Sequence, residues 1–202
     1  MKAPVIGLLG GIGAGKSAVA RILAEAGCVV SNSDEATREV LKDPEVMDTL
    51  RQWWGPEVFA SDGRVDRAAI GRIVFAKEAQ RTRLEELLHP RIERIRAEIF
   101  QAAEAPRAYV IDAPLLLEVG LDAECDHLIL VDTPLEIRLE RVRERGWDAS
   151  ELDSREAAQW PLDRKRDRAD HVLSNDGSLA ALRTRTLNLL ERLAPHSCGG
   201  RD

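Results

Sequence analysis

Cysteine is scarce in this chain of 202 residues: Cys28, Cys125 and Cys198 are widely separated and odd in number. No paired metal-type spacing occurs, so a disulfide framework and a zinc module are excluded, and a reducing, cytoplasmic setting is expected. Excess positive charge is missing too. Lys and Arg total 29 against 35 Asp and Glu, a formal net charge of −6, which gives no global attraction for nucleic acid or an anionic membrane. Long apolar runs are absent: the run after Met1-Lys2 is too short, and wrongly continued, for a signal peptide, and nothing later could span a bilayer. The chain is expected to be soluble, with no nucleic-acid, membrane or obligate protein partner. Internal repeats and low-complexity tracts are lacking as well.

What is present begins at the N-terminus. Gly10-Gly11-Ile12-Gly13-Ala14-Gly15-Lys16-Ser17 has the pattern G-x-x-x-x-G-K-S, directly behind the strand-like run Pro4 to Leu9. Glycines let backbone N–H groups converge on phosphate oxygens. Lys16 reaches the β- and γ-phosphates of a bound nucleoside triphosphate, and the Ser17 hydroxyl ligates Mg²⁺. Ala18, Val19, Ile22, Leu23 and Ala26 follow at helical spacing, so the cradle lies at a helix N-terminus, whose dipole favours anions. The chain lacks an Asn-Lys-x-Asp element to read guanine and a Leu-Ser-Gly-Gly-Gln segment of the transporter type. A guanine-reading GTPase and a transporter ATPase are therefore not expected, and the loop by itself names no reaction.

Strand-like segments at Pro4 to Leu9, Cys28 to Asn32, Ala108 to Asp112, His127 to Asp132 and His171 to Leu173 alternate with helical ones. This predicts an α/β fold, a parallel sheet with helices on both faces, whose ligands collect beyond the carboxyl ends of the strands. The length allows one such core, burying about 70% of the surface the unfolded chain exposes. The nucleotide-binding core is read as 1–34, 108–145 and 164–194. The crossover 35–107 is too long for one covering helix and forms a helical insertion. Its helices are predicted at Ser33 to Leu41, Pro44 to Trp54, Arg67 to Phe75, Ala79 to Leu88 and Pro90 to Ala103, with a turn at Ser61-Asp62-Gly63. Segment 146–163, between two arginine-bearing helices, is either a small lid or an ordinary connection. Ser178 is expected to cap a last helix, and 195–202 to be disordered.

Asp34, just past the second strand, is placed to orient or deprotonate an acceptor hydroxyl, or else it caps the following helix. Asp112 closes an apolar strand as a Mg²⁺-holding acid would, with an N-cap as the alternative. Asp132, followed by Thr133-Pro134, is read as structural. Arg141 and Arg145, four apart, share a helix face and can meet one anion, with Arg155 and Lys165 adding from the far side of 146–163; surface salt bridges explain each equally well. His89 alone reads as a packing residue between two helices.

Taken together, these elements resemble the dephospho-coenzyme A kinases from Val5 to Gly177. The loop with its Gly-Gly-Ile-Gly core, Asp34 with Arg38-Glu39-Val40, Leu88-His89-Pro90 and Asp112-Ala113-Pro114-Leu115-Leu116-Leu117-Glu118 match the family in order. So do Arg155 with Gln159, Lys165 with Ala169-Asp170, and Asn175 with Gly177. The resemblance implies transfer of the γ-phosphate of ATP to the ribose 3'-hydroxyl of dephospho-coenzyme A, the last step of coenzyme A biosynthesis. By the same resemblance Asp34 is the catalytic acid, with Lys16, Arg141 and Arg145 assisting. Gly10 to Ala18, Arg145 and Asn175 bind nucleotide. His89, Pro114, Leu115, Leu116 and Glu118 join Asp34 at the acceptor, Ser17 and Asp112 hold Mg²⁺, and 146–163 is the lid. Departures fall at Asn32 and Ser33, where the family usually has Asp and Ala, and at Arg138, where Gln is common. Asn32 carries no negative charge and would hold Mg²⁺ less strongly. Another small-molecule kinase, for a nucleoside, nucleotide or shikimate-like acceptor, and a non-catalytic ATP-binding regulatory module are the alternatives.

Overall fold

The structure, a computed structural model, describes residues 3–195. The expectation of a disordered tail lies, from His196 on, outside the described residues. Five strands form one sheet: β1 (Val5–Leu9), β2 (Val29–Asn32), β3 (Tyr109–Asp112), β4 (His127–Asp132) and β5 (His171–Ser174). Their order is β2-β3-β1-β4-β5 and every neighbouring pair is parallel. The helices in chain order are α1 (Lys16–Glu25), α2 (Ser33–Val40), α3 (Pro44–Trp54), α4 (Arg67–Ala76), α5 (Glu78–Gln101), α6 (Leu135–Arg143), α7 (Ala149–Glu156), α8 (Leu162–Arg168) and α9 (Leu179–Leu193).

The chain divides into two compact units, Met1–Asn32 with Ala103–Asp202, and Ser33–Ala102. In the first, Ile6, Leu8, Val110, Ile129 and Val131 from the strands pack with Val19, Ile22 and Leu23 of α1 and Leu182, Leu189 and Leu190 of α9. Such continuous apolar strands are what a covered parallel sheet requires. Ser178 caps α9 by accepting the Ala181 N–H at 3.2 Å, as expected. Leu179 is exposed, and Thr186 is buried on the helix face with the leucines.

The register places chemistry-bearing residues at one edge. Asp112 on β3 lies opposite Leu8 of β1 and Asn32 of β2, and Asp132 of β4 lies opposite Ser174 of β5. These are the carboxyl ends of the strands, where an open parallel sheet leaves room for a ligand.

The second unit is helical and has its own core of Val40, Leu41, Val46, Leu50, Val58, Ala69, Ile70 and Leu88. Its helix starts are set locally. Pro44 follows the N-cap Asp43, whose carboxylate accepts the Glu45 N–H at 2.9 Å, and Asp66 accepts from Ala68 and Ala69 to start α4. The turn at Gly63 joins Phe59 and Val65, which form an antiparallel bridge. A break expected from the sequence is not there: α5 runs through Pro90 as one helix. Proline removes the donor to the Glu86 carbonyl, a local loss that a 24-residue helix packed through Leu88 tolerates.

Candidate active site

The loop between β1 and α1 is fastened through its carbonyls. Ala14 O accepts from Thr133 Oγ1 at 2.8 Å, Asn175 Nδ2 at 2.8 Å and Arg141 Nη1 at 3.3 Å. Gly13 O accepts from Arg141 Nη1 at 3.1 Å, and Ile12 O from Arg138 Nη1 at 3.3 Å. Three consecutive peptide planes are thereby set by side chains from α6 and from the ends of β4 and β5. Preset peptide dipoles of this kind spare a phosphate site the cost of reorganising when its anion arrives.

Gly15 shows why the sequence needs a glycine here. Its φ is +94° and a Cβ on it would lie 2.4 Å from Asn175 Nδ2, so any side chain would dislodge the residue that holds Ala14. Lys16 then opens α1, where the first N–H groups of the helix lack intrahelical partners and its positive dipole end favours phosphate. Ser17 is exposed one residue on.

Asp112 is buried, and its Oδ2 accepts the Asn32 amide at 3.1 Å. Asn32 therefore keeps a contact to the acid beside it, although it lacks the charge usual in the resembled family. A hydroxyl and a carboxylate are hard oxygen donors that suit Mg²⁺. Among the described residues no group of three or more His, Cys, Asp or Glu could hold a metal ion. Mg²⁺ takes one or two protein oxygens and fills its shell with phosphate and water.

The two arginines predicted to share a helix face are placed differently. Arg141 lies on α6 and is spent on the Gly13 and Ala14 carbonyls; Arg145 lies beyond the helix end, exposed, in a turn where its N–H reaches Val142 O at 3.0 Å. Asp132 pairs with Arg166 at 2.8 Å, which raises that guanidinium above its usual pKa and fits the structural reading of Asp132.

Segment 146–163 contains α7, begun by Asp148, which accepts the Glu151 N–H at 2.8 Å. Arg155 is occupied by Glu151 at 2.7 Å and by the Trp147 ring at 4.1 Å. Lys165 is buried, donating to Gln159 Oε1 at 2.9 Å and lying 3.4 Å from Glu118 Oε1. Glu118 Oε1 also accepts the Trp160 N–H at 2.6 Å. The 114–118 loop is thus tied to the connection between α7 and α8. Within that loop Pro114 and Leu115 are half-buried, whereas Leu116 is 1% exposed and packs towards Gly7.

Asp34 is the second residue of α2, exposed, in a first turn that also holds Glu35. His89 lies inside α5 and is exposed, so its reading as a packing residue between two helices is corrected: there is no junction and nothing encloses it.

Thr133 and Glu156 were missed by sequence reasoning. Thr133 stands in the sequence only as the residue before Pro134, and a hydroxyl aimed backwards at a loop 119 residues earlier leaves no local signal. Arg138 gave a signal only as a departure from the family; in the fold it is buried, paired with Glu156 and bonded to the Ile12 carbonyl.

A family model described as dephospho-CoA kinase matches residues 4–181. The dephospho-CoA kinase of Deinococcus radiodurans is 43% identical over 88% of this chain and 86% of its own length. The crystal structure of a Thermus thermophilus protein superposes with a TM-score of 0.84 at 37% identity, covering 95% of this chain and 98% of that one. A shikimate kinase from Acinetobacter baumannii, solved with shikimate, reaches a TM-score of 0.54 at 18% identity over 98% of this chain and 96% of that one, a likeness of fold alone.

Proposed function

Because the chain belongs to the dephospho-CoA kinase family, we propose that the loop Gly10–Ser17 carries the donor and Asp34 activates the acceptor. The reaction is ATP-dependent phosphorylation of dephospho-coenzyme A, giving coenzyme A and ADP in coenzyme A biosynthesis. The observation that carries the division of labour is the fastened loop: three successive carbonyls held from behind by Arg138, Arg141, Thr133 and Asn175.

In this reading the N–H groups of 13–18 and Lys16 hold the phosphates and spread their charge. Arg141 contributes a fixed positive charge from its place against the loop, and Arg145 is the arginine left exposed to meet the nucleotide. Asp34 accepts the proton of the ribose 3'-hydroxyl as its oxygen bonds to the γ-phosphorus and the bond to the β,γ-bridging oxygen breaks, releasing ADP. Ser17 and Asp112 would hold Mg²⁺, which supplies neutralisation of the phosphate oxygens. Asn175 keeps the loop in shape. His89, Pro114, Leu115 and Glu118 border the acceptor. Leu116 supports that loop from the core, and 146–163 closes over the reactants to exclude water. No helix among the described residues is long and apolar enough to cross a membrane.

The test is ATP consumption with and without dephospho-coenzyme A, with the product's phosphate located by ³¹P NMR. A 3'-phosphate formed only with acceptor present is expected; consumption unchanged by the acceptor, or a panel hydroxyl preferred to it, would overturn the reading.

A further inference from the structure

The Ile12 residue of the phosphate loop is gripped at both of its backbone polar atoms by one ion pair. Its carbonyl accepts from Arg138 Nη1 at 3.3 Å, and its N–H donates to Glu156 Oε1 at 3.1 Å. The same Oε1 lies 2.5 Å from the same Nη1. Arg138 sits on α6, and Glu156 is the last residue of α7, within the 146–163 segment. Nothing assigned to the reaction so far uses Glu156.

The pair is built in, and the loop is shaped for it. The Arg138 side chain is 6% exposed and that of Glu156 25%, so the guanidinium is shut off from solvent and the carboxylate largely so. Gly11 leaves the space: a Cβ there would lie 2.8 Å from Arg138 Nη1, 2.8 Å from Glu156 Oε1 and 3.2 Å from Leu162 Cδ2. The glycine second in the loop thus leaves room for the ion pair, which a side chain there would push aside. Glu156 is also the one acid brought onto the loop backbone in the hydrogen bonds described, where every other side-chain contact comes from a donor.

A carboxylate on the rim of a polyphosphate site repels the ligand unless its charge is cancelled. Arg138 cancels it. We propose that Arg138 and Glu156 form a positioning pair, in which Glu156 fastens the α7 segment to the donor loop through the Ile12 amide and Arg138 both holds the Ile12 carbonyl and neutralises that carboxylate. Docking of α7 and the shape of the donor loop are then one coupled state. Neither residue touches the reacting atoms; both act through the backbone of Ile12.

A plain structural ion pair and this device predict different arithmetic. If the pair only staples α6 to α7, loss of either partner lowers stability, and loss of both is at least as damaging to nucleotide binding as loss of one. If it is a charge-balanced clamp, Arg138→Gln leaves an unbalanced carboxylate beside the phosphates, and removing that charge in turn restores binding. This rests on the loop being the ATP site, so wild-type protein is measured first.

Dissociation constants for ADP and ATP, with KM and kcat for both substrates, are to be taken for wild type, Arg138→Gln, Glu156→Gln and the double variant. The expected result is a nucleotide dissociation constant raised about tenfold or more in Arg138→Gln, as for an ion left unpaired in a largely buried site. Glu156→Gln, which keeps an acceptor for Ile12, should stay within about threefold of wild type, and the double variant should recover most of the loss, with the acceptor KM unchanged throughout. A double variant no better than Arg138→Gln, or an equal rise in acceptor KM, overturns the proposal. Wild-type protein that binds no nucleotide overturns the loop assignment instead. If Arg138→Gln does not fold, hydrogen exchange at the Ile12 amide decides: it should quicken in Glu156→Ala and stay slow in Glu156→Gln, and equal exchange in the two counts against the clamp.

Discussion

Asn175, which follows the last residue of β5, donates its amide to the Ala14 carbonyl at 2.8 Å, 161 residues away in sequence. Through it the far end of the sheet fixes the shape of the loop that begins at the sheet's central strand. Asn175→Leu keeps the branched shape but removes the donor, and should cost about 1–2 kcal/mol of stability in denaturant unfolding. Because the bond shapes the loop, KM for ATP should rise while KM for the acceptor stays put. Gly15→Ala should be worse, since a Cβ there meets the same amide at 2.4 Å and φ is +94°; strain adds about 1–3 kcal/mol.

Asp34→Asn tests the assigned acid. The side chain is exposed at the start of α2, so stability should be nearly unchanged. Loss of proton acceptance should lower kcat by about 10²- to 10⁴-fold. ATP affinity, measured by calorimetry, should remain within about twofold, because the loop that holds the donor is intact. A variant with wild-type kcat would return Asp34 to the role of a helix-start residue.

His171 should make stability fall in mild acid. Burial lowers its pKa, with His127, whose ring centroid is 5.7 Å away, and Arg192 pushing the same way and Asp170 opposing them. The unfolded chain therefore takes up the proton first. The stability contributed by neutral His171 is fully present above the ordinary value of about 6.5 and is lost as pH falls through the lower folded value. Denaturation midpoints followed from neutral to mildly acid pH should show this fall, and His171→Gln should flatten it. An unchanged slope in the variant would assign the acid sensitivity to other groups.

Cys28 should resist alkylation. The thiol is buried at 6% exposure, and burial pushes its pKa up against the opposing pull of Arg107, so little thiolate forms near neutrality. Cys125 is less buried and should label sooner. Pulse alkylation read residue by residue in a mass spectrometer should show Cys28 modified only under unfolding conditions. Equal labelling of the two in native protein would contradict its placement against the core.

The sheet was legible because its strands are short, apolar and bounded. His127–Asp132 appears with the bounds the sequence predicts, and the other four differ by a residue at an end. The insertion's first helices were equally clear, since Pro44 and Arg67 follow capping aspartates. Pro90 misled, because a rule about isolated helices was overridden by the packing of a long one. The loop was plain from its own residues, yet the groups that hold it were not. Thr133, Arg138 and Glu156 reach it from more than a hundred residues away, and no local periodicity encodes such an approach. Lys165 reads in the sequence as a cation available to an anion, whereas in the fold it is buried beside Glu118 and Gln159.

The edge strand β2 pairs with β3, yet the whole Ser33–Ala102 unit lies between them in the chain. Bringing Asn32 to Asp112 therefore closes the longest connection between successive strands, a span of 80 residues whose entropy must be met before the pairing returns any energy. A helical unit with its own core can collapse by itself and shorten that loop. In the order of folding, β2 is expected to pair with β3 after that unit has collapsed, so the residue just beyond it, Asp34, takes its place at the same late step.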